Sequence, residues 1–167
     1  MTGVYITNGI YNVYLPNREF LNSGTKFRNT NPNSTVTYPG QFEDQIVVGA
    51  YNSINGSLWQ SSSRGPTING ILKPDIVAPG VNIIAPYPGG GYATITGTSA
   101  SAAYTSGCVA LFYQYLIAEN NYPNKAFVQK ARTYFRAGAV REDTVQYPNN
   151  SYGYGVLNIR NVFEQFR

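Results

Sequence analysis

The sequence contains no histidine, one cysteine, one methionine and one tryptophan in 167 residues, and only 12% of its residues are charged. Each scarcity excludes something. Histidine is the side chain that most often serves as a general base near neutral pH, so hydrolytic chemistry in this chain needs a base from elsewhere. The lone Cys108 cannot form an internal disulfide, and its apolar neighbours make it a small buried hydrophobe. The most apolar stretch, 100–117, is interrupted by Ser101, Tyr104, Thr105, Ser106 and Gln114, which argues against a membrane span. No charged n-region followed by an apolar h-region opens the sequence, so a soluble chain without a secretory leader is expected, its compartment undefined.

What is present fits a globular chain. Hydrophobic residues make up 43%, and the length suits one domain with a sizeable core. The net charge of +4 is mostly scattered; only Lys125, Lys130, Arg132, Arg136 and Arg141 gather, and they are expected on the solvated face of a helix. A nucleic-acid groove would interleave basic and exposed aromatic residues over a wider surface, so no nucleic-acid partner is expected. The 15 tyrosines raise the option of a carbohydrate-binding β-module, but the alternation of strands and helices after Gln45 argues against it.

Asn8-Gly9 between β-branched and aromatic runs, 4–7 and 10–15, predicts a β-hairpin. Residues 16–44, rich in Asn, Pro, Gly, Ser and Thr, predict a long surface connection. Core character begins at 46–51, a continuous apolar run typical of a strand in a parallel sheet. Further apolar strands are expected at 76–78, 81–85 and 92–96, with Gly89-Gly90-Gly91 as a turn; the triple glycine lacks the lysine and helix of a phosphate loop. Helices are expected over 100–117, over 125–135 with Asn124 as cap, and over 159–166 after the glycine-tightened turn at 152–158. Ala102, Ala103, Gly107 and Ala110 are expected to let neighbouring backbone approach the first helix. Trp59 is expected to pack, or to wall a cleft.

Gly97-Thr98-Ser99-Ala100-Ser101-Ala102-Ala103 places Ser99 at or next to the N-cap of that helix. Serine is a common capping residue without chemistry. It also stands where free N–H groups and the positive end of the helix dipole stabilise an oxyanion, as acyl transfer requires.

Three blocks in order, Ser62-Ser63-Arg64-Gly65-Pro66, Lys73-Pro74-Asp75-Ile76-Val77-Ala78-Pro79-Gly80 and Gly97 through Ala103, resemble the nucleophile half of the subtilases, the subtilisin-like serine proteases. The segments 8–16 and 31–37 resemble the exit from a β-rich insert of the clostridial branch that includes the spore-germination proteases. The resemblance implies an α/β chain: part of a subtilisin-like three-layer fold with parallel strands, preceded by a β-hairpin from the inserted β-domain. It implies a division into 1–44, hairpin and linker, and 45–167, the C-terminal half of a catalytic domain. Ser99 is implied as nucleophile and its own N–H as one oxyanion donor. The family's Asp, His and oxyanion Asn belong to an N-terminal half that has no match here, and Asp75 is expected to be structural.

Ala100, Ala103 and Tyr104 stand where the family commonly has Met, Pro and His. A peptide-hydrolysing family, inactivity of the isolated chain, complementation by an N-terminal fragment and an association with spores are what the resemblance implies; no cofactor or metal site is expected from the residues, and calcium dependence is left open. The alternative expectation is a non-catalytic, protease-derived interaction module that self-associates through an open sheet edge.

Overall fold

The computed structural model describes residues 13–16, 20–120 and 127–167, and the chain divides into two compact units, Met1–Asn31 and Pro32–Arg167. Most of the hairpin expected around Asn8-Gly9 lies outside the described residues; Val13–Pro16 carry no regular structure. The described part of the first unit holds turns, one closed by the Thr25 N–H donating to the Asn22 carbonyl at 3.0 Å.

The second unit carries β1 (Val48–Tyr51), β2 (Ile76–Pro79), β3 (Ile83–Pro86), β4 (Tyr92–Ile95), α1 (Thr98–Asn120), α2 (Phe127–Ala137) and α3 (Ile159–Glu164). The apolar runs β1 and β2 pair in parallel, Val48 opposite Ile76 and Tyr51 opposite Pro79. Val156 extends this sheet, bridging Val77 in parallel and Val140 antiparallel. The next two strands do not join it. β3 and β4 pair with each other antiparallel, Ile83 opposite Ile95. Their connection is far shorter than the dozen or so residues a parallel crossover needs. Gly89, Gly90 and Gly91, all at positive φ, make the turn, and the Tyr87 N–H donates to the Gly91 carbonyl at 3.1 Å.

The helix α1 packs on the β1–β2 pair. Its inner face is Ser101, Thr105, Cys108, Phe112 and Leu116, all buried at the spacing of one helical stripe. Phe112 is the centre of the core, its ring 5.7 Å from Phe135 edge-on, 5.6 Å from Tyr134 and 6.0 Å from Phe166. Ala131 and Phe135 of α2 and Val162 of α3 close the cluster; Asn158 caps α3 by accepting from the Asn161 N–H at 3.2 Å.

One expectation is corrected here. Ala102, Ala103, Gly107 and Ala110 lie on the exposed face, and a Cβ added at Gly107 would meet nothing within 4 Å. The reason is that the inner face is itself partly small and polar: Ser101 and Thr105 turn their hydroxyls into hydrogen bonds, which frees the alanines to face outward.

Asp75, expected to be structural, is the centre of a network. Asp75 is 1% exposed, and its Oδ2 accepts from Lys73 Nζ at 2.9 Å and from the Val47 N–H at 2.7 Å. Lys73 Nζ also donates to the Gln45 carbonyl at 2.8 Å. Arg136 of α2 donates to Asp75 Oδ1 through Nε, at 3.0 Å, and through one Nη, with its guanidinium 4.5 Å from the centroid of the Tyr154 ring. Arg136 is therefore not on a solvated face, because a buried carboxylate claims it.

Asp75→Asn leaves Lys73 buried beside a neutral group, and such broken buried pairs cost about 3–5 kcal/mol. Phe112→Ala opens a cavity costing about 3–5 kcal/mol. Thermal unfolding followed by circular dichroism should show Tm falling by roughly 10 °C in each variant.

Candidate active site

Ser99 is exposed at the start of α1, just after the sharp passage from β4 through Gly97. The Gly97 carbonyl accepts from the Ala100 N–H at 3.1 Å and from the Ser101 N–H at 3.4 Å, so Gly97 is the N-cap and Ser99 the second residue of the helix. Among the described residues the N–H groups of Thr98 and Ser99 have no backbone acceptor. They are oriented as free donors at the positive end of a long helix, the setting that stabilises a developing oxyanion.

The first turn is seated on the end of β2. The Gly97 N–H donates to the Gly80 carbonyl at 2.8 Å, and the buried Ser101 Oγ donates to the Ala78 carbonyl at 3.0 Å. Gly80 makes this approach possible. A Cβ there would lie 2.7 Å from the Ala50 Cβ and 2.9 Å from the Gly97 carbonyl oxygen, and would collide with Ser101 Oγ. The hairpin end is fixed separately, by the Asn82 N–H donating to Thr96 Oγ1 at 2.9 Å.

Beside Ser99 opens a cleft of about 330 Å³. Val36, Tyr38, Pro39 and Val47 line one side, Thr98, Ser99 and Ala102 the other, and none of the described residues that line it is charged. Its wall comes from the stretch expected to be a surface connection. That stretch is pinned by Thr35 N–H donating to the Arg64 carbonyl at 2.9 Å and by Gln41 Nε2 donating to the Val36 carbonyl at 2.8 Å. Val36 is buried in consequence. An adjoining groove runs over Ile46, Val48, Thr105, Val109 and Tyr113. There the outer edge of β1 is open at Val48: Ala50 is satisfied by Ser62 Oγ and by the Trp59 N–H, whereas Val48 has no such partner among the described residues.

Among the described residues no base is bonded to Ser99. Its hydroxyl has no hydrogen-bond partner among the described residues, and the sequence has no histidine. Both oxygens of Asp75 are committed to Lys73, Val47 and Arg136, so this carboxylate cannot orient a base. Cys108 is no rival nucleophile, because burial pushes its thiol up and hides it beneath α1. Ser101, Gly80 and the Val36–Pro39 wall were not singled out from sequence. The close Pro79-Gly80 step after a fully apolar strand was the available signal for Gly80.

Known proteins resemble this chain over most of its length. The model of the Subtilase family matches residues 17–155. An uncharacterized protein of Aquifex aeolicus is 34% identical over 140 residues, covering 71% of this chain and 60% of its own length. Subtilisin E of Bacillus subtilis is 34% identical over 132 residues, covering 76% of this chain and 29% of its own length. The structure of the Clostridium perfringens CspB protease superposes with a TM-score of 0.77 at 34% identity, over 84% of this chain and 30% of that one. The chain thus spans less than two thirds of each of these relatives. With a family match over most of its length and an α/β arrangement shared with a solved protease, the chain belongs to the subtilase family of serine proteases.

Proposed function

We propose that this chain is the serine-bearing C-terminal part of a subtilisin-like endopeptidase, with Ser99 as nucleophile, and that it is inactive until another polypeptide supplies the aspartate, histidine and oxyanion asparagine. The observation that carries this is the placement of Ser99: exposed near the N-terminus of α1, its hydroxyl unbonded, free N–H groups beside it and an uncharged cleft alongside. In the completed enzyme Ser99 Oγ attacks the scissile peptide carbonyl while its proton passes to the incoming histidine. The carbonyl oxygen becomes an oxyanion that takes the Ser99 N–H as one donor and the incoming asparagine as the other. Without the base the serine is a weak nucleophile, and loss of the base alone lowers kcat in subtilisin on the order of 10⁶-fold.

A second function is favoured by a different observation. The open edge of β1 at Val48, next to an apolar groove, suits an added strand, so a non-catalytic module binding a partner or a second copy accounts for that surface. The two differ in their dependence on Ser99. When this chain replaces the stretch it matches in the Clostridium perfringens CspB protease, the graft should hydrolyse peptide substrates, and Ser99→Ala should lower kcat at least about 10³-fold. A folded graft that hydrolyses equally well with Ser99→Ala would overturn the nucleophile assignment. A partner complex or oligomer of this chain indifferent to Ser99→Ala, with an inert graft, would favour the module.

A further inference from the structure

The first turn of α1 is held from its inner side by a hydroxyl that the acyl-transfer chemistry does not itself use. Ser101 is 0% exposed, and its Oγ donates at 3.0 Å to the carbonyl of Ala78, the next-to-last residue of β2. Two residues along an α-helix are about 200° of rotation, so Ser101 faces the sheet while Ser99 faces the cleft. A second tie lies at the other end of the same turn, where the Gly97 N–H donates to the Gly80 carbonyl at 2.8 Å. Ala78 and Gly80 are alternate residues of one rigid stretch. Ile76, Val77 and Ala78 are fully buried, and Val77 is bonded on its other side, donating to Gly155 at 3.0 Å and accepting from Leu157 at 2.8 Å.

We propose that Ser101 is a positioning residue for Ser99: its hydroxyl fixes the rotation and height of the first turn of α1, and through it the direction of Ser99 Oγ and of the Ser99 N–H. This rests on Ser99 being the nucleophile. The buried stripe of α1 seats the helix on the sheet, and the ties at Gly97 and Ser101 together set the orientation of its first turn. The contact is directional rather than space-filling, and Gly80 is bare at the place where a Cβ would collide with Ser101 Oγ. The Ser101 carbonyl is held in turn by Thr105 Oγ1 at 2.8 Å, which continues the fixed geometry into the second turn. Misplacement of a reacting group by about 1 Å can cost 10²-fold in rate, so a single hydroxyl behind the nucleophile is enough to matter.

Ser101→Ala removes the donor without adding volume, and Ser101→Cys fills the site with a weak donor. Residue-resolved hydrogen exchange on the chain itself should show the Gly97, Ala100 and Ser101 amides exchanging at least about tenfold faster in both variants, with Phe112 and Leu116 amides within about twofold of the parent. A uniform rise along α1, or none, would mean that the hydroxyl contributes only general stability and would overturn the proposal. In the CspB graft, kcat should fall about 10- to 100-fold in both variants with KM held within about twofold. Unchanged kcat in Ser101→Ala, with hydrolysis still dependent on Ser99, would overturn the positioning role alone. Hydrolysis that survives Ser99→Ala would overturn the nucleophile assignment and the positioning role together.

Discussion

A buried carboxylate between two cations is the constraint from which the rest of the second unit takes its geometry. Asp75 binds the backbone entering β1 through the Val47 N–H, the segment leading into β2 through Lys73, and α2 through Arg136. Lys73 reaches on to the Gln45 carbonyl, and Arg136 lies against the Tyr154 ring. A charge this deep is tolerable only when every lone pair is met, and here each oxygen has a charged donor. The network therefore fixes how β1, β2, α2 and the C-terminal turn meet. Gln45 and Val47 also line the cleft beside Ser99, so the same carboxylate holds one wall of the site from behind.

The opposite wall is α1, and its place follows from β2. Gly80 lets the helix start touch the strand end, Gly97 turns the chain into the helix, and Ser101 bonds across to Ala78. The resulting arrangement sets an exposed hydroxyl and free N–H groups at the C-terminal ends of parallel strands, where open α/β sheets place their sites. What it lacks among the described residues is a proton acceptor bonded to Ser99, and the Asp75 carboxylate is spent on structure.

Much of this was legible in the sequence because the signals are local. The apolar runs at 46–51 and 76–78 became β1 and β2, and the glycine-to-helix passage put Ser99 within the first turn of α1. What was not legible depends on residues far apart in the chain. Arg136 reads as a surface cation until Asp75, 61 residues away, claims it. The inner face of α1 is polar at Ser101 and Thr105, so composition alone turned the alanines the wrong way. The pairing of β3 with β4 is set by a connection too short for a crossover, and the cleft wall at Val36–Pro39 by bonds to Arg64 and Gln41. Most of the expected hairpin around Asn8-Gly9 lies outside the described residues.

Ser99 has the helix start of a nucleophile and, among the described residues, no base to activate it. Exposure of the purified chain to a fluorophosphonate probe, read by intact mass with Ser99→Ala alongside, addresses this most directly. No adduct is expected on the chain alone. A stoichiometric adduct that disappears in Ser99→Ala would contradict it, because it would mean that Ser99 is activated by groups within this chain.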